Sequence, residues 1–151
     1  MEKVLYDVMI GGLVALLTLA VRWQLPFIRS LFDEESRRQS KQISGTWNAN
    51  EVFADGSEDN FIMDIHCRGG RVTGKHTCHS GYDEGKTYDI EGTYKDQILT
   101  FRWKPSNSVG LESGTVTARL VTDRRLEGHG LYVEPADGKI YTSIFKAEMK
   151  S

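Results

Sequence analysis

Cysteine and net charge are both scarce in this sequence, and each shortage removes a class of protein. Two cysteines, Cys67 and Cys78, among 151 residues are too few for a small scaffold held by disulfides. A formal net charge of -2, with a pI near 6.1, leaves no broad basic field and disfavours nonspecific binding to DNA through its phosphates. Catalytic signatures are missing too. There is no G-x-S-x-G elbow, no phosphate-cradling loop, no H-E-x-x-H and no nucleophile paired with a base. Nothing in the sequence argues for an enzyme, and no cofactor is implied.

Long apolar runs occur once. From about Val4 to Val21 the chain is nearly all apolar, and Val8 to Val21 carries no charge. With Trp23 and Leu25 the stretch approaches the ~20 residues that cross a bilayer. A cleaved signal peptide would need a basic start and a small-residue cleavage site, but the chain opens Met1-Glu2-Lys3 and no A-x-A follows. A buried core helix would need a larger domain to hide it. The reading that fits best is a transmembrane anchor over residues 1–25. Arg22, Arg29, Arg37, Arg38 and Lys41 follow the run, against Lys3 alone before it. That bias predicts a single-pass protein of the bacterial inner membrane with its C-terminal domain in the cytoplasm. Asp7 either reaches the headgroups or marks a polar point where helices meet. Gly11-Gly12 would admit a neighbouring helix, or is simply tolerated in lipid. Residues 26–42 change character: Pro26 interrupts the helix, Phe27, Ile28, Leu31 and Phe32 mix with polar residues, and Asp33-Glu34-Glu35 leads into Ser36-Arg37-Arg38. This predicts a short amphipathic segment at the interface and then a polar connector.

Residues 43–151 break into eight short segments of strand composition. They lie near Ile43–Phe53, Asn60–Cys67, Arg71–His79, Thr87–Tyr94, Gln97–Lys104, Gly114–Thr122, Arg125–Val133 and Lys139–Ala147. Turn chemistry separates them, including Gly69-Gly70, Lys95-Asp96 and Asp123-Arg124. The expected fold is all-β: a small eight-stranded antiparallel up-and-down β-barrel preceded by one N-terminal transmembrane helix. A two-residue turn at Gly69-Gly70 sets Cys67 opposite Val72 and Cys78 opposite Phe61. The thiols then stand roughly 20 Å apart along the ribbon, too far for a disulfide. The same register sets His66 opposite Thr73 and His76 opposite Met63. The histidines and cysteines therefore diverge, and no metal site is expected. Alternation puts Phe61, Met63, Ile65 and Cys67 on one face, with Leu99, Phe101 and Trp103, and Val116, Ala118 and Leu120, likewise in phase. Trp47 is in phase with Ile43, Gly45, Ala49 and Phe53. Gly45, Gly74, Gly92, Gly128 and Gly130 fall inside strands, where barrels need tight bends.

A small barrel either fills with side chains or holds one small ligand. The candidate ligand-binding residues are Tyr88, Trp103 and Tyr132, which could stack on a base, and Arg102 and Arg119, which could bind a phosphate. The bland alternatives are aromatics that belong to the core and arginines that point to water.

Gly45-Thr46-Trp47 resembles the lipocalin-type G-x-W opening, in which the tryptophan plugs one end of the barrel and a basic residue of the last strand covers it. Lys146 is the residue available for that role. The whole arrangement, an apolar leader before a minimal barrel with Gly92-Thr93-Tyr94, a strand begun at Gly114 and Leu126-Glu127-Gly128-His129-Gly130, resembles the membrane-anchored β-barrel effectors of bacterial cyclic-oligonucleotide anti-phage (CBASS) systems. That family typically carries two transmembrane helices where this chain has one apolar run. The resemblance implies a barrel that binds a cyclic dinucleotide, forms homo-oligomers and disrupts the inner membrane, with the lipid bilayer as partner. A different class of function is a structural barrel, its lumen packed, that docks a partner protein at the membrane. A lipocalin-like carrier of a small apolar ligand is a third.

Overall fold

A strand with apolar residues at every second position buries one face, and a set of such strands buries that face most completely by closing on itself. The computed structural model, which describes residues 34–81, 83–107, 113–133 and 138–150, shows this closure. A helix, α1 (Glu34–Ile43), leads into eight strands: β1 (Gly45–Phe53), β2 (Glu58–Arg68), β3 (Arg71–Ser80), β4 (Thr87–Lys95), β5 (Ile98–Pro105), β6 (Ser113–Thr122), β7 (Arg125–Val133) and β8 (Ile140–Met149). Each strand pairs antiparallel with the next, and β8 returns to β1 to close the barrel. Strand limits fall within two residues of those expected from the sequence.

The β2–β3 ladder has the predicted register, with Cys67 opposite Val72 and Phe61 opposite Cys78 across the Gly69-Gly70 turn. Both glycines have positive φ, as a two-residue hairpin turn of this hand requires. The β4–β5 turn is Asp96-Gln97 rather than Lys95-Asp96, and both of its residues take positive φ, 52° and 66°. On the inner face, Gly92 and Gly128 sit where neighbouring backbone closes in. A Cβ at either would collide with the adjacent strand, at Thr100 and Phe101 or at Thr117 and Ala118. These are the tight bends that let the wall curl.

The chain enters the barrel differently from expectation. Ile43 ends a helix rather than starting a strand, and the segment read as a polar connector is helical from Glu34. Glu34 in its first turn and Lys41 in its last complement the helix dipole. Ser40 and Ile43, one turn apart, are buried, while Arg37, Arg38 and Lys41 are exposed. The helix ends through Ser44, whose hydroxyl donates to the Ser40 carbonyl at 2.7 Å and accepts from the Cys67 N–H at 2.9 Å, tying α1 to β2. One mouth of the barrel is thereby plugged. Trp47, with no exposed surface, donates its indole N–H to the Ile43 carbonyl at 3.0 Å. Ile65, Val72, Tyr94, Leu99 and Leu126 belong with it to one buried apolar cluster. Lys146 does not cover this tryptophan as in the lipocalin pattern. It lies exposed on the outer wall opposite Asn50. No described helix is long and apolar enough to cross a membrane; the proposed anchor, residues 1–25, lies outside the described residues, as does residues 26–33 of the segment after it.

Candidate functional site

The closed half of the lumen is packed, and the other half is open. Strand ends and loops at the far mouth enclose a cavity of about 670 Å³. Small-ligand sites typically range over about 300–1,000 Å³. Inward positions of successive strands build its wall: Glu51 and Phe53 from β1, Phe61 from β2, His76 and Cys78 from β3, Tyr88 from β4, Trp103 from β5, Tyr132 from β7 and Tyr141 from β8.

The aromatic rings form a connected surface. His76 lies 4.9 Å from Phe61 and 4.8 Å from Tyr88 between ring centres, and Tyr88 meets Trp103 edge-on at 5.0 Å. Across the mouth, Tyr132 stacks on Tyr141 at 5.1 Å and meets Phe53 edge-on at 5.7 Å. Trp103 lies against Gly114, where any side chain would run into the indole. The Tyr88 hydroxyl donates to Asp83 at 2.7 Å, and Lys86 holds the other oxygen of that carboxylate at 2.7 Å. Rings fixed in this way offer preformed apolar area to a ligand.

The polar side of the cavity is acidic. Glu51, Asp55, Glu58, Asp59 and Asp83 line it; no lysine or arginine does among the described residues. Glu51 is the deepest, only 9% exposed. Burial pushes its carboxyl up from the ordinary 4.5 to about 7, a hydrogen bond with Ser143 opposes the rise, and the neighbouring Asp59 carboxylate adds to it. Gly130 is what leaves room for this pair, because a Cβ there would collide with both the Ser143 hydroxyl and the Glu51 carboxyl. His76 is 7% exposed, and burial holds its imidazole down from 6.5 to about 4, partly offset by Asp83. Its Nδ1 has no hydrogen-bond partner among the described residues. No three His, Cys, Asp or Glu side chains among the described residues are grouped as a metal site.

Of the sequence-predicted site residues, Tyr88, Trp103 and Tyr132 come together in the cavity wall. Arg102 and Arg119 do not. Both lie exposed on the outer face, Arg102 bonded to Glu91 at 2.8 Å and Arg119 opposite Ile98 and Glu127. Strand parity is the reason: Arg102 falls between the inward Phe101 and Trp103, and Arg119 between the inward Ala118 and Leu120. Glu51, Ser143 and Asp83 were not singled out by the sequence reading. For Glu51 a signal exists, since it lies two and four residues beyond Ala49 and Trp47 on the same inward face.

No protein-family model matches the sequence, and no curated protein matches it either. Solved structures do resemble the fold. A redesigned β-barrel, b11L5F_LGL, superposes with a TM-score of 0.61 at 15% identity, covering 76% of this chain and 96% of that one. The barrel EF1p2_mFAP2b, solved bound to DFHBI, gives 0.60 at 13% identity over 75% of this chain and 98% of its own. Apo shwanavidin overlaps more loosely, at a TM-score of 0.48 and 15% identity over 72% of this chain and 98% of that chain. At these identities the likeness is one of fold: a closed, eight-stranded antiparallel barrel.

Proposed function

We propose that this chain is a small-molecule-binding barrel whose ligand lies against Tyr88, Trp103 and Tyr132 in the open half of the lumen. The observation that carries this is the contrast between the two halves. A barrel serving only as a scaffold gains most by packing its whole interior, yet here side chains fill one end and leave about 670 Å³ at the other. Aromatic side chains line that space, and a similar redesigned barrel, mFAP1, was solved bound to DFHBI, which supports ligand binding on this fold. The anti-phage reading is the special case in which the ligand is a cyclic dinucleotide. The rings suit its bases. Its phosphates, however, would meet Glu51, Asp55, Glu58 and Asp59 with no lysine or arginine in the lining among the described residues, and that charge pattern argues for a different ligand.

Thermal melting of the full chain in detergent, against a panel of small aromatic compounds and of cyclic dinucleotides, tests this. A ligand that binds only the folded barrel stabilises it by about 2.7 kcal/mol at a hundred times its Kd. Stabilisation by members of the aromatic set, lost in Trp103→Ala, is the expected result. Stabilisation by cyclic dinucleotides alone would restore the second-messenger reading, and none by any compound would overturn ligand binding altogether.

A further inference from the structure

We infer that the cavity takes a small organic cation, an amine carried on an apolar body, with its ammonium group paired to Glu51 and its body against the Tyr88, Trp103 and Tyr132 rings. This rests on the small-molecule reading above and adds the sign of the ligand's charge.

Two independent features support it. The first is a buried carboxyl without a cationic partner among the described residues. Glu51 is nine-tenths buried in the wall, and what surrounds it is Asp59 on β2, Gly130 on β7, and Ser143 and Phe145 on β8. The neutral Ser143 hydroxyl is its hydrogen-bond partner. A carboxylate so placed lacks the counter-charge that buried carboxylates require, and a ligand ammonium would supply it. The second is His76, also nine-tenths buried, which lines the same cavity with an Nδ1 that nothing in the described protein satisfies. Held neutral by burial, it gives Glu51 no positive charge, and an unprotonated ring nitrogen can accept a hydrogen bond from the N–H of an ammonium, which keeps its proton. The walls favour the same sign. The faces of Tyr88, Trp103 and Tyr132 attract cations through their ring quadrupoles, and Asp55 and Glu58 draw cations to the mouth, whereas Asp83 is already paired with Lys86. Entry of the ammonium stabilises the ionised form of Glu51, so a proton leaves the carboxyl for solvent as the ligand binds. Asp59 opposes that ionisation from the neighbouring strand; Asp83, beside His76, is paired with Lys86.

Three probes share one naphthalene frame and differ in charge: 1-naphthylmethylamine, 1-naphthylmethanol and 1-naphthoate. Calorimetric titration of the full chain should show the amine binding at least about tenfold tighter than the alcohol, with the carboxylate weakest. Repeating the amine titration in buffers of different ionisation enthalpy should reveal proton release at pH 6, vanishing by pH 8. Glu51→Gln should abolish the preference for the amine while leaving the alcohol within about twofold; its melting temperature checks that it folds. Arg119→Ala, on the outer wall, should change none of the three. An alcohol bound as tightly as the amine, or a Glu51→Gln variant that keeps the preference, would overturn the cation inference and leave small-molecule binding standing. Failure of all three probes to bind below about 1 mM would instead overturn the small-molecule reading, and this inference with it.

Discussion

In the cavity wall, burial keeps Glu51 protonated and His76 unprotonated over much of the same pH range, and the two effects push stability in opposite directions. For Glu51 the folded value of about 7 lies above the ordinary 4.5, so between those limits the folded state holds a proton that the unfolded chain has lost. Stability from this residue therefore falls as pH rises through that window, by about 3 kcal/mol at about 1.4 kcal/mol per pH unit. For His76 the folded value of about 4 lies below 6.5, so the unfolded chain binds the extra proton and stability rises between pH 4 and 6.5 by a similar amount. The two slopes nearly cancel where they overlap. Urea unfolding across pH should separate them. Glu51→Gln should gain on the parent protein progressively from pH 4.5 to 7, and His76→Gln should lose ground to it from pH 4 to 6.5. A Glu51→Gln advantage that does not vary with pH would show that the carboxyl ionises freely in the fold.

At the scale of single elements, the β4–β5 hairpin holds the positive-φ residues other than glycine among the described residues. Its two-residue loop needs positive φ at both positions and fills them with Asp96 and Gln97. Aspartate, like asparagine, tolerates it at the first position, whereas the second favours glycine and glutamine resists it. Both residues are exposed, and the bond that Gln97 makes to the next hairpin uses its carbonyl, which accepts from the Leu120 N–H at 2.8 Å. Gln97→Gly keeps that bond and should stabilise the barrel by about 0.5–1 kcal/mol, read as a higher melting temperature. A lower one would mean that the Gln97 side chain makes a contact worth more than the relief of backbone strain. By contrast, Gly69-Gly70 already meets the requirement in the β2–β3 turn.

Across the whole molecule, the two ends of the barrel have different tasks. The closed end, plugged by α1 and Trp47, holds most of the buried apolar side chains that resist unfolding; the open end exposes rings and carboxyls to a ligand. Ile43 is the residue through which α1 seals the core, with no exposed surface. Truncating it, Ile43→Ala, should cost about 2–4 kcal/mol of stability by denaturant titration. Because Ile43 lies away from the cavity lining, probe affinity measured below the unfolding transition should stay unchanged. A loss of affinity equal to the loss of stability would show that the two halves do not act separately.

Much of this architecture is readable along the chain. Side-chain direction in a strand has a period of two fixed by backbone geometry, so Trp47, Phe61, Leu99 and Val116 announce their inward faces locally, and turn residues such as Gly69-Gly70 fix where each strand reverses. The same parity places Tyr88, Trp103 and Tyr132 inside and, applied strictly, sends Arg102 and Arg119 out. The helical plug was not legible: among the described side chains of Glu34–Ile43 the buried ones are Ser40 and Ile43, a pattern too sparse to distinguish from a polar connector. Nor was the chemistry of Glu51 and His76. An inward position becomes a solid core or a cavity wall only when eight strands meet, because the space left over depends on the combined volumes of residues far apart in sequence. Only that closure decides which ionisable groups lose water, and so which of them can recognise a charge.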